Sequence, residues 1–384
     1  MGLAPAFAAA QPGPLGPDIV VTTEGYLACP TVAVSAQGDF QVVWNHYYSD
    51  SHPIPQGMFA RHFDRQGRPT QPAAIRLDLP RSVDVSYRRI VALPGGGYFV
   101  VWWEYRGGSR SAMVGRFLDS AGNPRSPVLL LKRHALPVAL VLVSNKLLVA
   151  WREDPEGPVW ARRFDLAGRA LGKAMLLTKH EHLGVFDLAP LKDSFVAVWE
   201  RWTGTSWAVE AQRFSPVGNP LGAALRLNDN PSGGQFGVKI ASNGNDRYAV
   251  AWTKRTQTGQ QEFDEEPRVQ FFGPGGARGP AMNPSQLSPG AQHAGGLAMD
   301  SRGSALVTWV SWNATSVDVA GRFLDSTGQP TGDAFSLSQD LAGVSHSPAF
   351  CPEATTNGKG DAWIAAWLHQ NTGIFARRLA FEGE

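Results

Sequence analysis

Residues 31–44 read TVAVSAQGDFQVVW and residues 57–68 read GMFARHFDRQGR, and the recurrence of these two pieces decides the fold. The first is an alternating segment, a glycine turn and an apolar run ending in Trp44. In the second, Arg61 and Phe63 stand two residues apart on one face of a strand, and a turn from Asp64 to Gly67 closes it. The strand-ending tryptophan returns as Trp102, Trp151, Trp199, Trp252, Trp309 and Trp367, at spacings of 58, 49, 48, 53, 57 and 58 residues. The runs before them are FQVVW, YFVVW, LLVAW, FVAVW, YAVAW, ALVTW and WIAAW. They are short, alternating or fully apolar, and rich in β-branched residues, as strands buried on both faces are.

The second piece aligns without gaps in every unit: ARHFDRQG, GRFLDSAG, ARRFDLAG, AQRFSPVG, VQFFGPGG, GRFLDSTG and ARRLAFEG. An early strand before each tryptophan hairpin and a short strand after each glycine turn complete four strands per unit. Four antiparallel strands repeated at about fifty residues predict an all-β, seven-bladed β-propeller. The last unit ends in the turn before its fourth strand, whereas the first is preceded by PLGPDIVV (Pro14 to Val21), which matches PLGAALRL (Pro220 to Leu227) of the fourth unit. The N-terminal strand is therefore expected to complete the last blade and close the ring. Residues 13–384 are expected to form one propeller domain, and residues 1–12 an unstructured leader or the remnant of an export signal.

A formal net charge of +2 with 18% charged residues gives no field for nucleic acid or an anionic membrane, and 43% hydrophobic residues suffice for a packed core. No apolar run reaches the roughly 20 residues of a membrane helix. The longest, Ala135 to Trp151, is interrupted at Ser144 to Lys146 and reads as two strands around a turn. Composition carries no signal for oligomeric state.

The pattern of W, R-x-F-D-x-x-G and P-L-G resembles a repeat of bacterial secreted and surface proteins that builds propellers or arrays. The resemblance covers nearly the whole chain and implies binding without naming a ligand. Many members carry an acidic, glycine-rich loop after the tryptophan that could hold calcium. Here those loops read REDPEGPV, ERWTGTSW or VSWNATSV, and calcium is not expected. The segment DSRGSALVTW echoes the sialidase Asp box only loosely and in the wrong hairpin.

Residues repeated in every blade are read as scaffold. The series Arg61, Arg116, Arg162, Gln212, Gln270, Arg322 and Arg377 is expected to stack on tryptophans and satisfy buried carbonyls. The loops after each tryptophan and between blades should share one face, longer and more varied than the other, as binding loops on a rigid frame are. Eight of nine histidines are assigned there (His46, His52, His134, His180, His182, His293, His346 and His369), leaving only His62 on a strand. Tyr47, Tyr48, Trp103, Tyr105, Trp202, Trp207 and Trp312 join them as ligand platforms, with Asp50 as a further ligand-binding residue of the same face. Arg88, Arg89, Lys132 and Arg133 should make part of the channel mouth basic. His180, His182, His293 and His346 are weak metal candidates; without H-E-x-x-H or a cysteine cluster, neither metal nor cofactor is expected. Cys29 and Cys351 precede prolines at the heads of the innermost strands of units that closure makes neighbours. They are either bonded, in an oxidising compartment, or two buried thiols, depending on a Cα separation under about 7 Å.

The expected function is recognition of a carbohydrate or protein partner by a secreted, periplasmic or surface propeller. The alternative is a hydrolase or lyase acting on a glycan or small molecule at the axial mouth, with Asp50, Glu104, Glu153, Asp154, Glu181 or Glu200 as acid or base. A third is an assembly module of a surface complex.

Overall fold

The computed structural model describes residues 12–47, 56–80, 82–154, 157–180, 182–228, 234–259, 263–286, 292–312, 317–338, 349–370 and 372–381. Tyr48, Asp50, His52, Glu181 and His346 lie outside them. The described residues form seven antiparallel sheets and no helix, so no helix is long and apolar enough to cross a membrane. Each sheet is a blade whose strands follow chain order from the axis outward, except that the outermost strand of the last blade comes from the N-terminus, and each innermost strand contacts those of its two neighbours around a closed ring.

The apolar runs become the second strands because both their faces meet another blade. In Phe40–Tyr47, the side chains of Phe40, Val42, Val43 and Trp44 have no exposed surface. Trp44 and Val42 pack toward the last blade beside Ile364 and Ile374, and Val43 packs toward the second beside Val100 and Trp102. Seven such inter-blade cores replace a single central one. The interrupted segment forms Leu136–Val143 and Lys146–Arg152, joined at Ser144 and Asn145 with φ of 48° and 59°, the left-handed pair of a tight hairpin.

Ring closure follows the expected route. Gly13–Thr22 pairs antiparallel with Gly373–Ala380, in the register Pro14 to Leu379 and Val20 to Phe375, as the outer strand of the last blade. Cys29 and Cys351 are bonded, with Cα atoms 5.5 Å apart, inside the geometric limit. The seam is thus fastened by a strand and by a covalent link across a sequence separation of 322 residues.

Members of the arginine series satisfy carbonyls of outer strands, Arg61 Nη1 donating to Val21 O at 2.9 Å and Arg116 Nη1 to Leu77 O at 2.7 Å, each in the preceding blade, whereas Arg377 pairs with the Asp18 carboxylate. Stacking on tryptophan is not what the register allows. Trp44 faces Phe59, and Arg61 falls opposite Val42, so its ring contact is Phe63, at 5.8 Å. The Asp-Gly turns are held by the carboxylate: Asp64 Oδ1 accepts from the Gln66 and Arg68 amides, and Gly67 takes φ 82°.

Candidate functional site

The strands rise higher on the varied face than the sequence suggests. Second strands run one to five residues beyond their tryptophans, so His46, Tyr47, Trp103, Tyr105, Trp202, Trp312 and His369 stand on strand ends rather than in loops. Trp207 opens a third strand and His293 lies in the innermost strand Gln292–Met299. His62 is therefore not the only histidine on a strand. This extension turns several expected binding residues into parts of the frame.

His46 is one. Its ring is 3% exposed, packed at 4.5 Å on Phe59 and against Gly25, and burial lowers its pKa to about 4. His369 donates to or accepts from Thr372 at 3.0 Å and is likewise depressed by burial. His134 and His182 adopt φ of 50° and 57° on exposed blade tops. His180 lines a cavity of about 260 Å³ with Trp199, away from His293. Among the described residues no three His, Cys, Asp or Glu side chains form a group that could hold a metal ion.

Position one past the tryptophan carries inter-blade clamps. Asn45 Oδ1 accepts from Arg88 Nη1 at 2.9 Å; Arg152 donates to Leu183 O and Gly184 O; Thr253 Oγ1 accepts from the Ala294 amide. Glu200 accepts from the Val185 and Val238 amides, and burial raises its pKa. Its carboxylate is committed to backbone donors of two blades. Glu104 is buried beside Arg106, and Glu153 pairs with Lys132 at 2.9 Å. None of these acids stands apart from a partner as a free acid or base would.

Innermost strands carry bulges just below the varied mouth, for example at Tyr87, Gly237 and Cys351, which share left-handed φ of 51°, 71° and 54°. The bulges bring Arg89, Asp187, Lys239 and Glu353 to one level, each opposite the residue before its tryptophan. In the sixth blade that level falls at Gly296. Lys239 therefore reaches past it and pairs with Glu353 at 2.8 Å. Asp187 accepts from the Ile240 amide at 3.2 Å and lies in the field of Lys239 and Arg89, although burial dominates and raises its pKa. Arg89 Nε donates to Val138 O at 3.0 Å. Beyond this charged level the channel is lined by Val32, Ile90, Leu188, Ile240 and Met299, a cavity of about 510 Å³ opening at the short-turn face.

A second cluster spans blades five to seven. His293 Nε2 bonds Glu265, a carboxylate 6% exposed, whose other oxygen is held by Arg255. Arg255 sits over Phe236 at 4.9 Å and Phe263 at 5.1 Å. The His293 ring meets Trp312 at 4.3 Å and Phe236 edge-on at 5.2 Å, and Trp312 meets Phe350 at 6.2 Å. Phe350 then lines a cavity of about 240 Å³ at the seam, with Tyr26, Leu27 and His369. Tyr26 and Tyr47 follow, 6.0 Å apart. The structure thus links His293 with Trp312. Trp103 and Tyr105 stack at 6.1 Å beside Tyr87, while Trp202 and Trp207 form a pair of their own at 5.6 Å. Glu265, Arg255, Phe236 and Phe350 were not singled out from sequence, and of the charged level only Arg89 was; aligning the innermost strands blade by blade would have exposed Asp187, Lys239 and Glu353 beside it as the odd members of otherwise small or apolar positions.

No protein-family model matches the chain, and no curated protein matches it in sequence. Among solved structures it is similar to a polysaccharide lyase of family PL25, an ulvan lyase bound to -[GlcA(1-4)Rha3S]-, with a TM-score of 0.61 and 9% identity over 96% of this chain and 97% of that one. A second ulvan lyase structure aligns with a TM-score of 0.61 and 10% identity over 97% and 95% of the two chains. A protein of unknown function from Dyadobacter fermentans DSM 18053 aligns with a TM-score of 0.51 and 9% identity over 94% and 97%. At such identities the likeness is one of fold.

Proposed function

We propose that the chain is an extracytoplasmic propeller that binds a carbohydrate through its varied face. The observation that carries this reading is the run of rings from Phe236 through His293, Trp312 and Phe350 to the seam cavity and Tyr26. Sugar rings present apolar C–H faces and polar edges, and aromatic side chains on rigid strand ends match both at low entropic cost. The ulvan lyase likeness supports the frame as one that accommodates a glycan. A disulfide at the seam fits an oxidising compartment.

Binding is tested by a panel of polysaccharides with wild type and Trp312→Ala. The expected result is glycan binding that weakens at least about tenfold in the variant, the loss of roughly 1.4 kcal/mol of stacking. Glycan binding untouched by Trp312→Ala and Tyr26→Ala would refute the platform, and binding of a protein but no glycan would replace the ligand class. A catalytic reading is favoured by one feature: the part-exposed His293 is oriented by a buried carboxylate, the arrangement that fixes an imidazole for proton transfer. Turnover of the bound glycan, abolished in His293→Ala with binding kept, decides for it.

A further inference from the structure

Arg88 stands out from the other cations of the channel mouth. Lys239 is neutralised by Glu353, and Arg89 is spent on backbone carbonyls, Val138 O through Nε and Arg88 O through Nη1. Arg88 forms no ion pair among the described residues. Its one side-chain partner is the neutral Asn45 amide oxygen, on Nη1. Its Nε is closed off from solvent without a hydrogen-bond partner, and its Nη2, which is not closed off, bonds to no group. The residue stands in the strand bulge at Tyr87, and its side chain reaches Asn45 of the first blade.

Burial and the neighbouring Arg89 depress the Arg88 pKa to about 10, with Tyr47 and Glu353 opposing. A guanidinium remains protonated at that value, so its charge is held in place without a counter-ion. The charged groups that act on it are Arg89 and Glu353, and Glu353 is already paired with Lys239. Retaining an uncompensated buried charge costs stability, and such groups gather where a ligand supplies the missing partner. The open and unbonded Nη2 of Arg88 is a charged donor to an oxygen of a planar or tetrahedral oxyanion.

We propose that Arg88, with Arg89 behind it and Tyr47 at its side, is an anion-binding position that receives the carboxylate or sulfate ester of an acidic saccharide. The saccharide part rests on the carbohydrate reading above; the anion site itself does not. Tyr47, 39% exposed and paired with Tyr26, offers the ring face against which the sugar carrying that anion lies. The ligand class is thereby narrowed from glycans in general to uronate-containing or sulfated ones.

The test reads thermal stability of the full chain in sodium glucuronate and in sodium sulfate, each against sodium chloride of equal ionic strength. Wild type is expected to gain about 2 °C at tenfold the dissociation constant of the anion, and the stronger of the two arms tells carboxylate from sulfate. Arg88→Met is expected to lose that gain and, because it strips the buried Asn45 Oδ1 of its donor, to unfold earlier than wild type without added anion. Arg88→Lys, which keeps the charge but not the fork, should retain a gain reached only at about tenfold higher concentration, and gives the readout if the methionine variant does not fold. Equal gains in wild type and Arg88→Met overturn the site. Acidic and neutral polysaccharides bound equally well by both proteins overturn the inference and leave the carbohydrate reading standing. An Arg88-dependent gain with no polysaccharide bound upholds the anion site and sinks the carbohydrate reading.

Discussion

Replacing both cysteines, as Cys29→Ala with Cys351→Ala, isolates the covalent part of the seam. The bond closes a loop of 322 residues in the denatured chain. The chain-entropy relation gives about 6 kcal/mol for such a loop, at the top of what native disulfides deliver, and about 2 kcal/mol is a fair lower bound. With an unfolding entropy of roughly 2.1 cal/mol/K per residue, a chain of 384 residues has about 0.8 kcal/mol/K. The expected fall in melting temperature is therefore about 3 to 7 °C, read by calorimetry or circular dichroism in non-reducing buffer. Reductant should bring wild type down to the variant and leave the variant where it is. Because Gly13–Thr22 still pairs with Gly373–Ala380, the native fold should persist at 25 °C. A variant melting within about 1 °C of wild type would refute the reasoning that the link constrains the unfolded chain. So would an equal response of both proteins to reductant, which would place its action elsewhere.

Gly296→Ala should destabilise the seam between the sixth and seventh blades, since a Cβ there would lie 2.3 Å from the Ala354 amide nitrogen. Both strands are fixed in their sheets, and a loss of about 2–3 kcal/mol in denaturant unfolding is expected. The buried His46 gives a pH dependence. Its folded pKa of about 4 lies below the ordinary histidine value of 6.5, so the unfolded chain takes up the proton first. Stability is full above pH 6.5 and declines by about 3 kcal/mol as pH falls toward 4. His62 and His369, also lowered by burial, act in the same direction. Urea titrations at pH 7 and 4.5 should show a smaller pH effect in His46→Leu; an unchanged effect would remove His46 as a source.

The repeat architecture was legible because the second and third strands bury the same residues in every blade, so Trp44 and Arg61 have counterparts at each turn of the ring. The N-terminal strand was legible for the same reason, its Pro14 to Val21 matching an outer strand elsewhere. The innermost strands share no such residues. Their bulges depend on single left-handed positions occupied by residues as different as Tyr87, Gly237 and Cys351. The level at which Lys239 meets Glu353 therefore follows from backbone geometry that no local pattern announces. His293 and Trp312 could be suspected as loop-face residues, but Glu265 could not. It meets His293 across two blades, and nothing in a hairpin rich in acids distinguishes it. His46, chosen as a ligand residue, belongs to the frame because its strand continues past Trp44 and carries the imidazole under Gly25.

The pairing of Gly13–Thr22 with Gly373–Ala380 also sets an order of events during synthesis. The strand made first has its partner made last, some 360 residues later. At translation rates of roughly 5–20 residues per second, that strand waits about 20 to 70 s with its backbone donors and acceptors unmatched. Blades one to six can mature in sequence as they emerge, each laid on its predecessor. The seventh must hold an open edge until the beginning of the chain returns to it, so completion of the ring is a long-range search that follows local folding, and the interval before it is when the chain is most exposed to pairing with another copy of itself.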